Sequence, residues 1–286
     1  MNDLENQAIL ILSCPDQRGI VAAVSGYLTD CGCNITESAQ FDDLDTGLFF
    51  MRVQFDLGTA TLGEIRTGFS PIARRFAMRA WDLKDATHAM RALILVSKTD
   101  HCLVDLLHRE RMGTLRMDVR AIVSNHETTR PFADMYGKAF HHLPIGPEGK
   151  DAQEQALLRL IDQEAAELVI LARYMQILSP SLVSALGTKA INIHHSFLPS
   201  FKGAKPYHRA FERGVKLIGA TAHFVTEALD EGPIIDQDVA RVDHTMTPKK
   251  LIEMGRDIER RVLARAVQDV IEHRVLINGV KTVVFR

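Results

Sequence analysis

The chain lacks several features that define major protein classes. Only four of its 286 residues are cysteines, at Cys14, Cys31, Cys33 and Cys102, and no C-x-x-C pair occurs, so neither a disulfide framework nor a zinc knuckle is indicated. The formal net charge is only −2, which gives no strong field for nucleic acid or anionic lipid. No run approaches the roughly 20 apolar residues that span a bilayer, and the polar segment 1–7 is unlike a signal peptide. We therefore expect a cytoplasmic protein with reduced thiols that binds a small molecule, without a nucleic-acid or membrane partner.

Residues 1–84 have the pattern of a small domain with the order β-α-β-β-α-β. Strands are predicted at 8–14, 33–41, 48–57 and 78–83, and helices at 20–32 and 62–76. This order places both helices on one face of an antiparallel sheet, which is the ferredoxin-like arrangement. Residues 85–89 are predicted to be a linker.

Residues 90–286 have the pattern of a larger α/β domain. Strands are predicted at 91–97, 119–124, 139–143, 168–171 and 190–193, alternating with helices at 101–112, 152–164 and 180–186. A hairpin near 218–242 and a long helix near 248–271 follow. The alternation predicts a mostly parallel, doubly wound, Rossmann-like sheet with helices on both faces.

Two polar side chains follow the apolar strand at 190–193 and suggest chemistry on a carbonyl group. Asn192 and His194 are two residues apart, so they point to the same face, at the strand end where open α/β sheets bind ligands. An amide can donate to an oxyanion, and an imidazole can move protons near neutral pH. Asp230, in the loop-like LDEGPI segment, is a carboxylate able to support the imidazole. Taken singly, Asn192 and His194 are more typical of a capped turn with solvated polar groups, and Asp230 of an ordinary turn.

Three segments together resemble the formyltetrahydrofolate-dependent transferase and hydrolase family: INIHHSFLPSFKGA, GATAHFVTEALDEGPIIDQ and LARYMQILSP. The resemblance covers roughly 90–280. It implies catalytic roles for Asn192, His194 and Asp230, and supporting roles for His223, Ser196 and Gly203. It also implies that the pterin of the folate lies against the segment Arg173, Tyr174, Met175, Gln176, Ile177 and Leu178.

The loop after the first strand of this domain separates two branches of that family. Transferases that formylate glycinamide ribonucleotide hold its phosphate with a glycine-rich turn, whereas residues 97–102 here, SKTDHC, contain no glycine. The strings LVSKTDHCLVDLL and VSNH instead resemble the deformylases, in which water accepts the formyl group from 10-formyltetrahydrofolate. The resemblance implies formate and tetrahydrofolate as products, formate for purine biosynthesis, and no metal or permanently bound cofactor.

Other functions are weighed against that hydrolysis. One is formyl transfer to a small amine; another, of a different class, is a folate- or amino-acid-sensing regulator without catalysis. A tRNA formyltransferase is disfavoured because the chain offers no basic surface.

The first domain resembles an ACT domain, a module that commonly pairs with its own copies and binds amino acids. Its loop at 16–19 joins a strand to a helix, where free backbone amides can hold a carboxylate. We therefore expect a homo-oligomer, a dimer or tetramer. An amino-acid effector is expected at Asp16, Arg18, Gly19 and Asn34, and a merely capped turn at 16–19 is the alternative.

Overall fold

The computed structural model describes residues 6–147, 149–198 and 206–286 and, for Pro206, the backbone alone. The chain forms two compact units. The first contains residues up to His88 together with 272–278 and 283–286, and the second contains 89–271 with 279–282. The predicted division, 1–84 against 90–286, differs from this one at the carboxyl end of the chain, where two short segments join the first unit.

The first unit has the predicted ferredoxin-like order. Its elements are β1 (Gln7–Pro15), α1 (Ile20–Asp30), β2 (Asn34–Asp43), β3 (Leu48–Asp56), α2 (Leu62–Arg75) and β4 (Ala80–Asp85). The sheet has the order β2-β3-β1-β4, and each neighbouring pair is antiparallel. The predicted fold of this unit is confirmed, with β4 displaced by two residues toward the carboxyl end.

Apolar residues at helical spacing fix α1 and α2 on one face of this sheet. Ile20, Val24 and Leu28 recur along α1 and are at most 2% exposed. In α2, Ile65 and Phe69 are equally buried and belong to the same cluster. Burial of a side chain of this size contributes about 1.5–3 kcal/mol to folding.

The second unit is built on a seven-stranded sheet. Its elements are β5 (Met90–Val96), α3 (His101–Arg111), β6 (Met117–Ser124), α4 (Arg130–Met135), β7 (Ala139–His142), α5 (Gly149–Gln163), β8 (Leu168–Leu171), α6 (Pro180–Leu186), β9 (Ala190–His194), α7 (Pro206–Glu212), β10 (Leu217–Phe224), β11 (Ile234–Arg241) and α8 (Pro248–Ile271). The strand order is β11-β10-β9-β8-β5-β6-β7. Strands β5 to β9 pair in parallel, and β10 and β11 pair antiparallel at one edge, so the predicted α/β class is confirmed.

Three features of the fold were missed by the sequence patterns. The helices α4 and α7 have six and seven residues, too few to show a clear helical period. The strands β12 (Val275–Asn278) and β13 (Lys281–Val284) form a short pair after α8.

The carboxyl-terminal segment supplies residues to the first unit. Leu276 and Phe285 form a buried cluster with Phe50 of β3. The fully buried Arg52 donates from Nε to the carbonyl of Glu272 and pairs with Glu37 at 3.0 Å. The sheet of the first unit thus has a second buried face, which residues 1–84 do not complete by themselves.

Two further observations concern the cysteines and the helices. All four cysteines are free thiols, with Cys14 and Cys102 buried. Within the described ranges, no helix combines the length and the apolar character that a membrane span requires.

Candidate active site

A cavity of about 610 Å³ opens at the carboxyl ends of β8 and β9. The strand order reverses between β5 and β8, because α3 leads from β5 to β6 on one side and the chain later returns to β8 on the other side. The cavity lies beside this switch point. Such a switch point leaves a crevice between the loops that follow the two strands. Its walls come from the loops after β5, β8, β9 and β10 and from α7 and α8.

Asn192, His194 and Asp230 meet in this cavity. Asn192 and His194 share one face of β9, and Asp230 follows β10, which pairs with β9. The Nδ1 atom of His194 lies 3.3 Å from Oδ1 of Asp230. The other ring nitrogen, Nε2, is buried and has no hydrogen-bond partner among the described residues. His194 is therefore held at one nitrogen and left open at the other.

His223 fixes the orientation of the Asn192 amide. A carbonyl oxygen can only accept, so the Nδ1–H of His223 donates to the carbonyl of Phe224 at 2.8 Å, which leaves Nε2 facing Asn192. Asn192 Nδ2 lies 3.2 Å from this Nε2 and donates one N–H to it. The second amide N–H of Asn192 remains for a ligand in the cavity.

The electrostatic setting keeps Asp230 ionised. Burial by itself would raise the pKa of Asp230, but its contacts with the imidazoles of His194 and His223 outweigh this and lower the pKa. The neighbouring His195 behaves differently. Burial, assisted by the positive charge of Arg173, lowers the pKa of His195 to about 3, so this ring is neutral at physiological pH.

The loop that carries Asp230 is tightly folded. Asp230 has a φ of 57°, in the left-handed region that non-glycine residues adopt at a cost. Gly232 then passes so close to β10 that a Cβ on it would lie 1.7 Å from the carbonyl oxygen of Phe224. That carbonyl is the acceptor for His223, so Gly232 supports both the loop and the histidine.

Replacing Gly232 by alanine is expected to damage both stability and catalysis. The added methyl group must displace Phe224 or the loop, which typically costs about 1–3 kcal/mol. We expect a lower melting temperature and a lower kcat, because His223 and Asp230 both move. Gly26→Ala is the matched control, since nothing lies within 4 Å of the added Cβ in its helix. Equal melting temperatures for the two variants would contradict the close packing at Gly232.

All six residues expected to contact the folate line the cavity: Arg173, Tyr174, Met175, Gln176, Ile177 and Leu178. Met175 and Ile177 are 57% and 64% exposed, which leaves apolar surface for a flat ring. The segment is fixed to the loop after β5, because the backbone N–H of Met175 donates to Oγ of Ser97 at 2.9 Å.

Glu259, His101, Tyr207 and His195 also line the cavity, and the sequence patterns did not identify them as site residues. Glu259 is 1% exposed and lies on α8 among core positions. The one sequence feature that could have identified Glu259 is its position on the predicted buried face of an amphipathic helix. A charged side chain there must be paired, so it points to polar partners nearby.

His101, Cys102 and Glu259 have ligand atoms within 4.8 Å of one another, as a metal site would require. The fit is poor, however. Burial raises the pKa of the Cys102 thiol well above its ordinary value, which disfavours the thiolate that binds metals. The carboxylate of Glu259 already interacts with His101, Arg173 and Tyr207.

The remaining predicted residues fall elsewhere. Ser196 is buried beside the strands, where its carbonyl accepts from Thr221 at 3.0 Å, and among the described residues it is not part of the cavity lining. Gly203 lies outside the described residues.

The four residues predicted to bind an effector are separated within one copy of the chain. Asp16, Arg18 and Gly19 are exposed and follow the carboxyl end of β1. Asn34 begins β2 and pairs with Asp56, which pairs with the first residue of β1. Eight residues of strand, roughly 26 Å, lie between the two places. A single amino acid cannot contact all four within one copy, so the effector site stays a prediction that requires residues from two copies of the chain.

Comparison with known proteins places the chain among enzymes of folate metabolism. Residues 90–267 match the formyl transferase family. A formyltetrahydrofolate deformylase from Corynebacterium sp. (strain P-1) is 51% identical over 97% of this chain and 98% of the relative. The crystal structure of formyltetrahydrofolate deformylase from Burkholderia mallei ATCC 23344 has a TM-score of 0.94 and 52% identity, covering 98% of this chain and 100% of that one. Glycinamide ribonucleotide transformylase 1 from Symbiobacterium toebii is more distant, with a TM-score of 0.66 and 29% identity over 70% of this chain and 95% of that one.

Proposed function

Because the chain belongs to the formyl transferase family and, within it, to the formyltetrahydrofolate deformylases, we propose that Asn192, His194 and Asp230 perform its hydrolysis of 10-formyltetrahydrofolate. The enzyme transfers the formyl group from N10 to water and releases formate and tetrahydrofolate. One observation carries the assignment of residues: the imidazole of His194 has a carboxylate 3.3 Å from Nδ1 and a buried, unpartnered Nε2 in the cavity.

His194 is the general base and then the general acid. Asp230 accepts the Nδ1–H, which leaves the Nε2 lone pair free to take a proton from the attacking water. The water oxygen bonds to the formyl carbon, the C–N10 bond breaks, and the proton on Nε2 passes to N10. Histidine suits both steps because its ordinary pKa lies near neutrality.

Asn192 stabilises the tetrahedral intermediate. With one N–H given to His223, its second N–H donates to the formyl oxygen as negative charge develops there. His223 thus holds the orientation of the amide rather than reacting itself. The pterin lies against 173–178, where the exposed apolar side chains of Met175 and Ile177 contact its ring.

The test is to incubate the enzyme with 10-formyltetrahydrofolate and no added acceptor, measuring formate and tetrahydrofolate together. We expect equal amounts of the two products. His108→Ala, an exposed change outside the cavity lining, is the control and should match the wild type. If formate forms only when an amine is supplied, or an N-formyl amine replaces it, the chain is a transferase. If neither product forms under any condition, the regulatory alternative gains support.

The first unit has a role of its own in this proposal. Its ferredoxin-like sheet and exposed loop at 16–19 support an ACT-like module that joins copies of the chain and binds an amino acid. The free thiols support a cytoplasmic location, and the poor fit of the His101 cluster supports a reaction without metal. Activity retained in a chelator, and a dimer or tetramer by light scattering, are the expected results.

A further inference from the structure

Glu259 is a buried carboxylate in the cavity wall, and it has no role in the proposed mechanism. Its Oε2 lies 2.9 Å from Nε2 of His101 and 3.3 Å from Nε of Arg173, and its Oε1 accepts from the hydroxyl of Tyr207 at 2.8 Å. Burial by itself would raise the pKa of Glu259, but the hydrogen bond from His101 and the charge of Arg173 outweigh it and lower the pKa. One ionised side chain therefore connects α3, α7 and the loop after β8.

Arg173 is the partner whose position is most constrained. Its φ of 65° lies in the left-handed region that side chains rarely adopt, and its carbonyl accepts from the N–H of Ser97 at 3.2 Å. Arg173 lines the cavity, and in the described part of the chain its Nε has the ion pair with Glu259 but no well-aligned hydrogen bond. A guanidinium has five N–H donors, so several remain available to a ligand.

The same group of residues extends to the reacting centre. The rings of His194 and His195 have centroids 5.1 Å apart, and His195 and Tyr207 are 6.3 Å apart. Glu259 connects Arg173 to these rings, because it contacts both the guanidinium and the hydroxyl of Tyr207. A fixed cation with free donors near His194 suits a substrate whose formyl group ends as a carboxylate.

We propose that Glu259 is a positioning residue for the hydrolysis, which holds Arg173 so that its guanidinium faces the formyl group as it becomes formate. Arg173 then stabilises the negative charge of the intermediate and of the formate product. The inference rests on the proposed function, since only hydrolysis produces formate in this cavity.

Replacing Glu259 by glutamine keeps the shape of the side chain and removes its charge. We expect kcat to fall by about 10- to 100-fold while the KM for 10-formyltetrahydrofolate changes less than about threefold, because the loss falls mainly on the transition state. Inhibition by sodium formate, measured at constant ionic strength, should weaken in the same variant. Glu253→Gln, half-exposed on the same helix, is the matched control and should keep wild-type values.

Arg173→Gln and the double variant test whether Glu259 acts through Arg173. The double variant should be no slower than Arg173→Gln alone, because residues in one pathway do not add. If the losses in the double variant multiply, the inference is overturned. It is also overturned if Glu259→Gln lowers only the melting temperature and leaves both kcat and inhibition by formate at wild-type values. If Glu259→Gln does not fold, Tyr207→Phe removes one hydrogen bond to Glu259, and an unchanged kcat there overturns the inference. A wild-type enzyme that releases no formate would instead refute the proposed function.

Discussion

Asp230→Asn is expected to lower kcat on the order of 10⁴-fold while the protein remains folded. The carboxylate accepts the Nδ1–H of His194, and an asparagine amide that donates there would force the proton onto Nε2. The ring would then have no lone pair facing the water, which is the loss that the same change causes in a serine protease triad. Stopped-flow or single-turnover release of formate measures it. Asp257→Asn, exposed on α8, is the control.

The same variant gives a pH signature in stability. The pKa of Asp230 lies below the ordinary aspartate value of about 3.9, so its stabilising contribution is complete above roughly pH 4 and is lost as the pH falls through the lowered pKa. We therefore expect the wild type to exceed Asp230→Asn in free energy of unfolding at pH 6, and the difference to shrink below about pH 4. A difference that stays constant down to pH 3 would show that the carboxylate has no charged partner in the folded protein.

The α/β fold of the second domain could be predicted because its strands and helices follow regular patterns of apolar residues in the sequence. Alternation of two along β9 predicted that Asn192 and His194 share a face, and the structure has both in the cavity. The buried parallel strands appeared as short apolar runs of the expected length. Pairing of β10 with β9 could not be deduced from these patterns, yet that pairing is what brings Asp230 to His194.

The sequence patterns did not identify residues whose partners are far away along the chain. Glu259 and His101 are 158 positions apart and meet only because α8 and α3 pack together. Neither has a local motif of its own, and the sequence predicts for His101 only that it begins a helix and belongs to a string that resembles the deformylases. Asn34 lies at the far end of the same sheet from the loop at 16–19 with which a resemblance in pattern grouped it, and this distance within one copy could not be deduced from the sequence.

His194→Ala is expected to reduce kcat by about 10²- to 10⁴-fold, the usual contribution of a positioned acid-base group. Solvent must then carry out both proton transfers, although Asn192 can still donate a hydrogen bond to the oxyanion. Because Asp230 works through His194, the double variant His194→Ala/Asp230→Asn should be no slower than His194→Ala, in contrast to the product of the two single losses. Added imidazole should restore part of the rate by entering the space that the ring leaves beside Asp230. Multiplying losses, with no rescue, would mean that Asp230 activates the water directly and that His194 has a separate role.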